Sequence, residues 1–465
     1  MEDDPHWSTD SETCRAYSED ASGLIGVPDA VARPRTEAEV VEIVRAAASR
    51  KVPITAQGLR SSTTGAPLAM GGIALSLERM AATLEIDPER RIAVVEPGAN
   101  LGDFKRSLAG TGLFYPPDPT SENECTVGGS VLANASGSRT YIYGPTRPYV
   151  VSLRLVRADG SVDELTRRRS TKNTTGYFGF QDPIDLVIGS EGTLGIVTRV
   201  TLRLIPAPPG YFGALAFFRA LEDSLAFVLA ADRARRDHTL APRCLELFDD
   251  GSLDVIRPQA GRLRIPHDAR AAIYFEQECG PGEEERALEG WFRLLEAHAG
   301  ALPDDTIVAT ASEPQSELRR LRHALPAEMN ERGARARAGG GRKLSTDWAV
   351  PLDALPATME EATRIVRETF GGPFVRYGHV GNGHPHFNLL ASDPAELERA
   401  RAATHRLALL AIERGGTVTA EHGVGKVKRE YVRYQYPEWV IDGMRALKRS
   451  VDPAGIFAPG NIFPE

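Results

Sequence analysis

A cluster of turn-forming residues, Pro206, Pro208, Pro209 and Gly210, interrupts the chain and separates two stretches of different periodicity. Proline lacks the backbone donor that a helix interior or a central strand needs, so no regular element runs through this cluster. Before it, apolar runs of strand length alternate with loops: Val52–Thr55, Ile73–Leu77, Ile92–Glu96, and Val150–Arg157 paired with Ser161–Leu165 around Asp159-Gly160. Ile196–Ile205 alternates apolar and polar residues up to Pro206. Thr36 and Glu39 form a capping box ahead of Val40, Ile43, Val44 and Ala47 at helical spacing, and Leu101–Leu108 reads as a second helix. Beyond the cluster the helical patterns lengthen, at 222–236, 283–299, 313–331, 353–369, 395–414 and 437–449, with strands expected at 271–277, 346–350, 374–379 and 385–390. The expected fold is α+β: a polar arm over 1–30, a strand-rich domain over 31–207 and a helix-closed domain over 208–465.

Composition removes several function classes. Acids outnumber bases 63 to 55 for a net charge of −8, which disfavours nucleic acid as a partner, because phosphate binding needs a basic face. The four cysteines contain no CxxC pair, which argues against iron–sulfur and thiolate-zinc sites. The opening Met1-Glu2-Asp3-Asp4 lacks the basic and apolar regions of a signal peptide, and no apolar run approaches the ~18 residues of a membrane span. A cytoplasmic protein is expected, with peripheral contact at the inner membrane face left open.

Glycines and small hydroxyl residues gather in four places: Gln57–Gly65, Thr126–Gly137, Gly144, and Gly189–Gly195. Bare backbone of this kind can approach a pyrophosphate or a planar ring where a Cβ would collide. None of the four is a GxGxxG dinucleotide fingerprint or a P-loop. Plain turns are the alternative for each loop singly; four within one domain favour a large ligand lying on backbone. Arg60, Arg139 and Arg147 are phosphate partners or solvated charges.

The second half holds two histidine clusters, Gly378–Asn388 and Ala420–Lys426. If 384–390 is a strand, His384, His386 and Asn388 share one face, and the glycine-rich turn before them folds His379 back beside His386. Glu421 is the best candidate for a third ligand in an open-sided Zn²⁺ or Mn²⁺ site, which leaves His422 as a proton acceptor. Histidines with ordinary protein partners are the bland alternative, and a metal-dependent hydrolase is the rival chemistry.

Together these motifs resemble the FAD-linked oxidase family of the vanillyl-alcohol oxidase superfold, in the branch of D-lactate dehydrogenase, D-2-hydroxyglutarate dehydrogenase and the glycolate oxidase FAD subunit. The resemblance runs from about residue 30 to the end, in family order: Pro53–Gly65, Tyr115–Thr120, Thr126–Gly137, Tyr143-Gly144, Lys172–Tyr177, Ile188–Val197 and Asp452–Asn461. It implies a PCMH-type two-subdomain FAD domain followed by an α+β substrate-binding cap domain with C-terminal helices. It places FAD on Gly58, Ser61, Ser62, Thr63, Thr64, Gly65, Pro117, Asp118, Pro119, Thr120, Gly128, Gly129, Asn134, Gly137, Gly144, Glu191, Gly192, Thr193, Gly195, Ile196, Val197 and Asn461. It also implies a divalent metal on His379, His386 and Glu421, His422 as general base, Arg322 on the substrate carboxylate and Asn388 on its hydroxyl. The implied reaction oxidises a D-2-hydroxy acid, D-lactate most simply, with hydride transfer to flavin N5. Electrons then pass to a quinone, a cytochrome, an electron-transfer flavoprotein or oxygen, and a homodimer is compatible.

Five features depart from the family pattern. Leu59 and Arg60 stand where glycines are usual, Asn382 and His384 replace an aspartate and an asparagine, and Asn461 replaces a lysine. Ser345–Trp348 lacks the lysine of hydroxyglutarate-type members, and Cys125 offers no covalent flavin histidine, so the FAD is expected to be noncovalent. His384 is expected to fill space rather than ligate. A flavin transferase like alkyl-glycerone-phosphate synthase shares the Gly423–Lys426 string, but that branch places histidines where Glu421 stands.

Overall fold

Thr36 begins the first long helix as its hydroxyl allows: Oγ1 accepts a hydrogen bond from the N–H of Glu39, and Glu37–Arg50 follows with Val40, Ile43, Val44 and Ala47 buried. The Glu39 carboxylate reaches back to the N–H of Arg35 rather than Thr36, so the box closes one residue early. These features belong to a computed structural model that describes residues 4–168, 170 and 172–463. Met1, Glu2 and Asp3 of the opening read above lie outside the described residues.

The chain forms two compact units. The first takes the chain up to Gly137, Gly144–Ala207 and everything from Glu421 onward; the second takes Ser138–Tyr143 and Pro208–Ala420. The Pro206–Gly210 cluster thus sits where one unit passes into the other, and two segments cross the linear order. The first unit carries a parallel three-stranded sheet in the order Ala30–Ala32, Ile73–Ser76, Ile54–Gln57. It also carries an antiparallel five-stranded sheet in the order Thr83–Asp87, Ile92–Val95, Ile196–Arg203, Val150–Val156, Val162–Thr166. Ile456 and Phe457, near the C-terminus, are fully buried in the first unit's core, and Phe457 bridges Ile54. The expected N-terminal arm is packed: it contains the helix Ser11–Ala16 and buries Trp7, Cys14 and Tyr17. Trp7, Cys14 and Tyr17 are spaced along a polar stretch, so an average over composition conceals them, while Ile25 and Val27 stay exposed.

The second unit is built on a seven-stranded antiparallel sheet, ordered Ile307–Ala309, Tyr211–Phe218, Ala271–Glu278, Pro242–Asp249, Phe374–His379, His384–Ala391, Arg342–Ser345. One face is covered by the helices Leu221–Arg236, Glu284–Glu296, Leu355–Thr369 and Pro394–Glu413 over an apolar core that includes Leu245, Leu247, Phe275 and Phe387. The other face meets the helix Ser312–Ala336 through Leu318, Leu321, Leu325 and Met329. The strand expected at 346–350 lies instead at Arg342–Ser345. Thr346 leaves the ladder by using its own hydroxyl: Oγ1 accepts from the Phe387 N–H at 2.9 Å. Among the described residues no helix is long and apolar enough to cross a membrane.

Candidate active site

The antiparallel return of Phe374–His379 into His384–Ala391 sets His379 opposite His384, Tyr377 opposite His386 and Val375 opposite Asn388. The two-residue period therefore puts His379, His384, His386 and Asn388 on one face, and all four are buried. Ring centroids lie 5.5 Å apart for His379 and His384, 5.4 Å for His379 and His386, and 4.5 Å for His384 and His386. One ring nitrogen of each lies within 4.8 Å of the others. Gly378 makes this packing possible: its φ is +119°, and a Cβ there would stand 2.6 Å from Cδ2 of His386.

Hydrogen bonds orient two of the rings. His379 Nδ1 is 2.8 Å from Glu246 Oε1, and His386 Nδ1 is 3.1 Å from the Thr346 carbonyl. Both partners only accept, so each neutral ring carries its proton on Nδ1, and Nε2 is the nitrogen suited to a cation. Glu246 also accepts from Arg322, with Nε at 2.9 Å and Nη2 at 2.6 Å from Oε2. Burial pushes the Glu246 carboxyl up, but Arg322 and His379 outweigh it and hold the group at about 2. Glu246 was not foreseen in the sequence. The only signal was the alternation of Glu246 with Leu245 and Leu247 inside Pro242–Asp249, where a buried carboxylate demands a cationic partner. A second ion cluster stands on the same sheet face, where Glu276 accepts from Arg139 Nε at 3.1 Å and lies 3.5 Å from Arg243 Nε.

The glycine loops all lie in the first unit and are tied together. Glu191 accepts from the N–H groups of Val424 at 2.6 Å and Gly425 at 2.8 Å. Asn461 donates to the carbonyls of Ala66 and Glu191 and accepts from Lys426 Nζ at 2.6 Å, and Lys426 also reaches the Gly65 carbonyl. Arg147 binds Asn134 Oδ1 through its backbone N–H and the carbonyls of Asp185 and Ile188 through its guanidinium. Non-glycine residues with φ near +50° recur in these loops: Arg60, Asn134 and Glu191 at 58°, 48° and 52°, with Ala458 and Ile462 flanking Asn461. Such strain persists only where the surroundings impose it, and it collects at functional sites.

The expected cofactor residues divide by role. At Gly58, Gly128, Gly137 and Gly195 a Cβ would strike Thr126, Pro97, Asp118 and Leu155, so these glycines serve protein packing. At Gly144 and Gly192 φ is +77° and +76°, and the nearest atoms are 3.8 and 4.0 Å from a Cβ, ordinary contact distance, so the backbone conformation rather than packing calls for glycine there. Thr126 caps Val127–Leu132 by accepting from Gly129 N–H, Ser62 pairs with Thr64, and Thr193 donates to the Ser190 carbonyl. Thr63 and Thr120 are exposed, Ser61 and Asp118 half-buried, and Pro117, Pro119, Ile196 and Val197 buried. Of the three arginines with alternative readings, none is a plain surface charge: Arg60 lies over the Tyr17 ring, Arg139 binds Glu276, and Arg147 ties loops together. Glu421 and His422 begin the first unit's last segment, with Glu421 Oε1 3.3 Å from His422 Nε2. The residue just before them, Ala420, is fixed within the second unit by donating to the Asp347 carbonyl.

Residues 214–462 match the family described as FAD linked oxidases, C-terminal domain, and residues 28–166 match the FAD binding domain. The chain belongs to the FAD-linked oxidase family. This FAD-linked oxidase is 33% identical to the glycolate oxidase subunit GlcD of Bacillus subtilis, over 96% of this chain and 92% of that one. It is 29% identical to the D-2-hydroxyglutarate dehydrogenase of Stutzerimonas stutzeri, with coverage of 98% and 95%. It is 28% identical to the D-lactate dehydrogenase of Archaeoglobus fulgidus, with coverage of 93% and 90%. The fold is that of a 4-ethylphenol oxidase from Gulosibacter chungangensis, with TM-score 0.74 and 19% identity over 99% of this chain and 95% of that one. The chain is therefore an FAD-linked oxidoreductase with a PCMH-type α+β fold. The bare backbone at Gly144 and Gly192 suits FAD, and the buried imidazoles suit a divalent cation.

Proposed function

We propose that this oxidoreductase converts a small D-2-hydroxy acid, D-lactate first, into its 2-keto acid. One observation carries the reading: Asn388 is fully buried, yet neither Nδ2 nor Oδ1 has a hydrogen-bond partner. A buried amide without partners costs roughly 1–3 kcal/mol, so this one is held ready for a polar ligand on the histidine face. The names of the relatives supply the class of that ligand. When bound, FAD supplies N5 as hydride acceptor, and a divalent Zn or Mn supplies the charge that favours an ionised 2-hydroxyl.

The chain's own groups do the rest. Arg322 takes the substrate carboxylate, with Glu246 fixing the direction of its fork. Asn388 orients the 2-hydroxyl, and His422 accepts its proton. His379, His386 and Glu421 would hold the cation. The two electrons leave to a quinone, a cytochrome, an electron-transfer flavoprotein or oxygen, and we place the protein in the cytoplasm. A second reading, oxidation of D-2-hydroxyglutarate, is favoured by Arg243, which is 3% exposed, is ion-paired through Nε with Glu276 and Glu278, and leaves Nη1 without a hydrogen bond. Dye-coupled kcat/KM values for D-lactate, D-2-hydroxyglutarate and glycolate separate these readings. Activity on none of the three would overturn both.

A further inference from the structure

His384 has no role in the proposed chemistry; of an added ligand and a space-filling role, the sequence favours the second. Its surroundings favour the first. The ring is 4% exposed, and its Nε2 makes no hydrogen bond, although Asp347 Oδ1 stands 3.3 Å away. A space-filling residue at a buried site is normally apolar, because an unsatisfied imidazole is costly there. The neighbours of His384 are other imidazoles, with His386 4.5 Å away between ring centroids.

All three rings have an acceptor beside them: the Glu246 carboxylate at His379, the Thr346 carbonyl at His386 and the Asp347 carboxylate at His384. The Asp347 side chain is itself fully buried. Acceptors set behind imidazoles are the arrangement that orients ligands around a cation, and a buried carboxylate also offsets the cation's charge. The turn that delivers His384 is firmly placed, since Gly383 N–H donates to the Val380 carbonyl and Val350 N–H to the Gly383 carbonyl.

We propose that His384 is a third imidazole ligand, so that the second unit alone presents three nitrogen donors, His379, His384 and His386, to the cation. The inference rests on the metal site proposed above and sharpens it. Imidazole-rich sites suit zinc, cobalt and nickel, whereas carboxylate-rich sites suit manganese and magnesium. Three buried imidazoles therefore rank Zn²⁺ and Co²⁺ above Mn²⁺ for this chain.

The test is Co²⁺ titration of the FAD-loaded protein after chelator treatment and dialysis, read as a visible difference spectrum and as bound cobalt per flavin. Wild type, His384→Asn and His386→Asn are compared, with flavin content and thermal midpoint confirming that each variant is folded. If His384 ligates, His384→Asn weakens Co²⁺ by more than the roughly 10- to 100-fold that follows loss of an outer-shell partner, and moves the d–d bands. Zn²⁺ displaces Co²⁺ at lower concentration than Mn²⁺ does. If His386→Asn loses cobalt while His384→Asn keeps wild-type affinity and spectrum, the third ligand is refuted and the two-histidine site stands. A wild type that binds no cobalt refutes both. Should His384→Asn fail to retain flavin, His384→Gln replaces it with the same readouts.

Discussion

Replacing Glu246 by glutamine tests whether the candidate site is held together by one buried carboxylate. Glu246 is 2% exposed and serves two partners at once, Arg322 through Oε2 and His379 through Oε1. Glutamine keeps the shape and removes the charge, leaving the Arg322 guanidinium in a mostly buried site without its counter-ion. Breaking a buried pair from one side costs about 3–5 kcal/mol. Arg322→Met breaks the same pair from the other side, so the two losses overlap. The double variant should then be more stable than the sum of the singles by about 2 kcal/mol, within the range measured for contacting residues. Urea unfolding followed by tryptophan fluorescence is the assay. Trp291 and Trp348 both lie in the core of the second unit and report on it. Single-variant losses below about 1 kcal/mol, or additivity within ~0.5 kcal/mol, would refute the reasoning.

Other consequences are open to measurement. Glu276 is held at about 2, below the ordinary glutamate value of 4.5, because Arg139 and Arg243 overcome its burial. A lowered carboxylate stabilises above its unfolded pKa and loses that contribution as pH falls from about 4.5 through 2, worth about 3 kcal/mol. Denaturant midpoints at pH 6 and pH 2.5 should therefore differ more in wild type than in Glu276→Gln, and equal differences would count against it. His422→Gln should keep FAD but slow anaerobic flavin reduction by about 10²–10⁴-fold, as expected for loss of a general base; an unchanged rate would remove His422 from that role. Gly378→Ala should lower bound metal while keeping flavin, because its Cβ would press on His386. Asn461→Ala should release FAD on gel filtration, since it unties Lys426, Ala66 and the 191 loop.

Much of the fold was legible because local chemistry fixed it. The Thr36 cap, the Asp159-Gly160 turn and the alternation of Ile196–Arg203 each act within a few residues. The helix expected at 313–331 spans 312–336 and runs through Pro326, where burial of Leu321, Leu325 and Met329 offsets the cost of the missing backbone hydrogen bond. Tyr211–Phe218 escaped notice because both faces are buried and a continuous apolar run carries no period-two signal, and Pro242–Asp249 because its charged residues Arg243, Glu246 and Asp249 are buried in ion pairs and break the apolar pattern. That loss hid Glu246, the residue that links Arg322 to His379. The shared face of His384, His386 and Asn388 was readable from parity alone. The partners Glu246, Thr346 and Asp347 were not, because they arrive from strands and turns distant in sequence.

The most direct measurement is the absorption spectrum of the purified protein before and after anaerobic addition of D-lactate or L-lactate, with Zn²⁺ or Mn²⁺ present. An oxidised flavin band that bleaches with D-lactate and persists with L-lactate is the expected result. A flavin that neither isomer reduces would contradict the assignment of D-lactate as the first substrate, and a protein that holds no flavin even after FAD is added would contradict the chemistry itself.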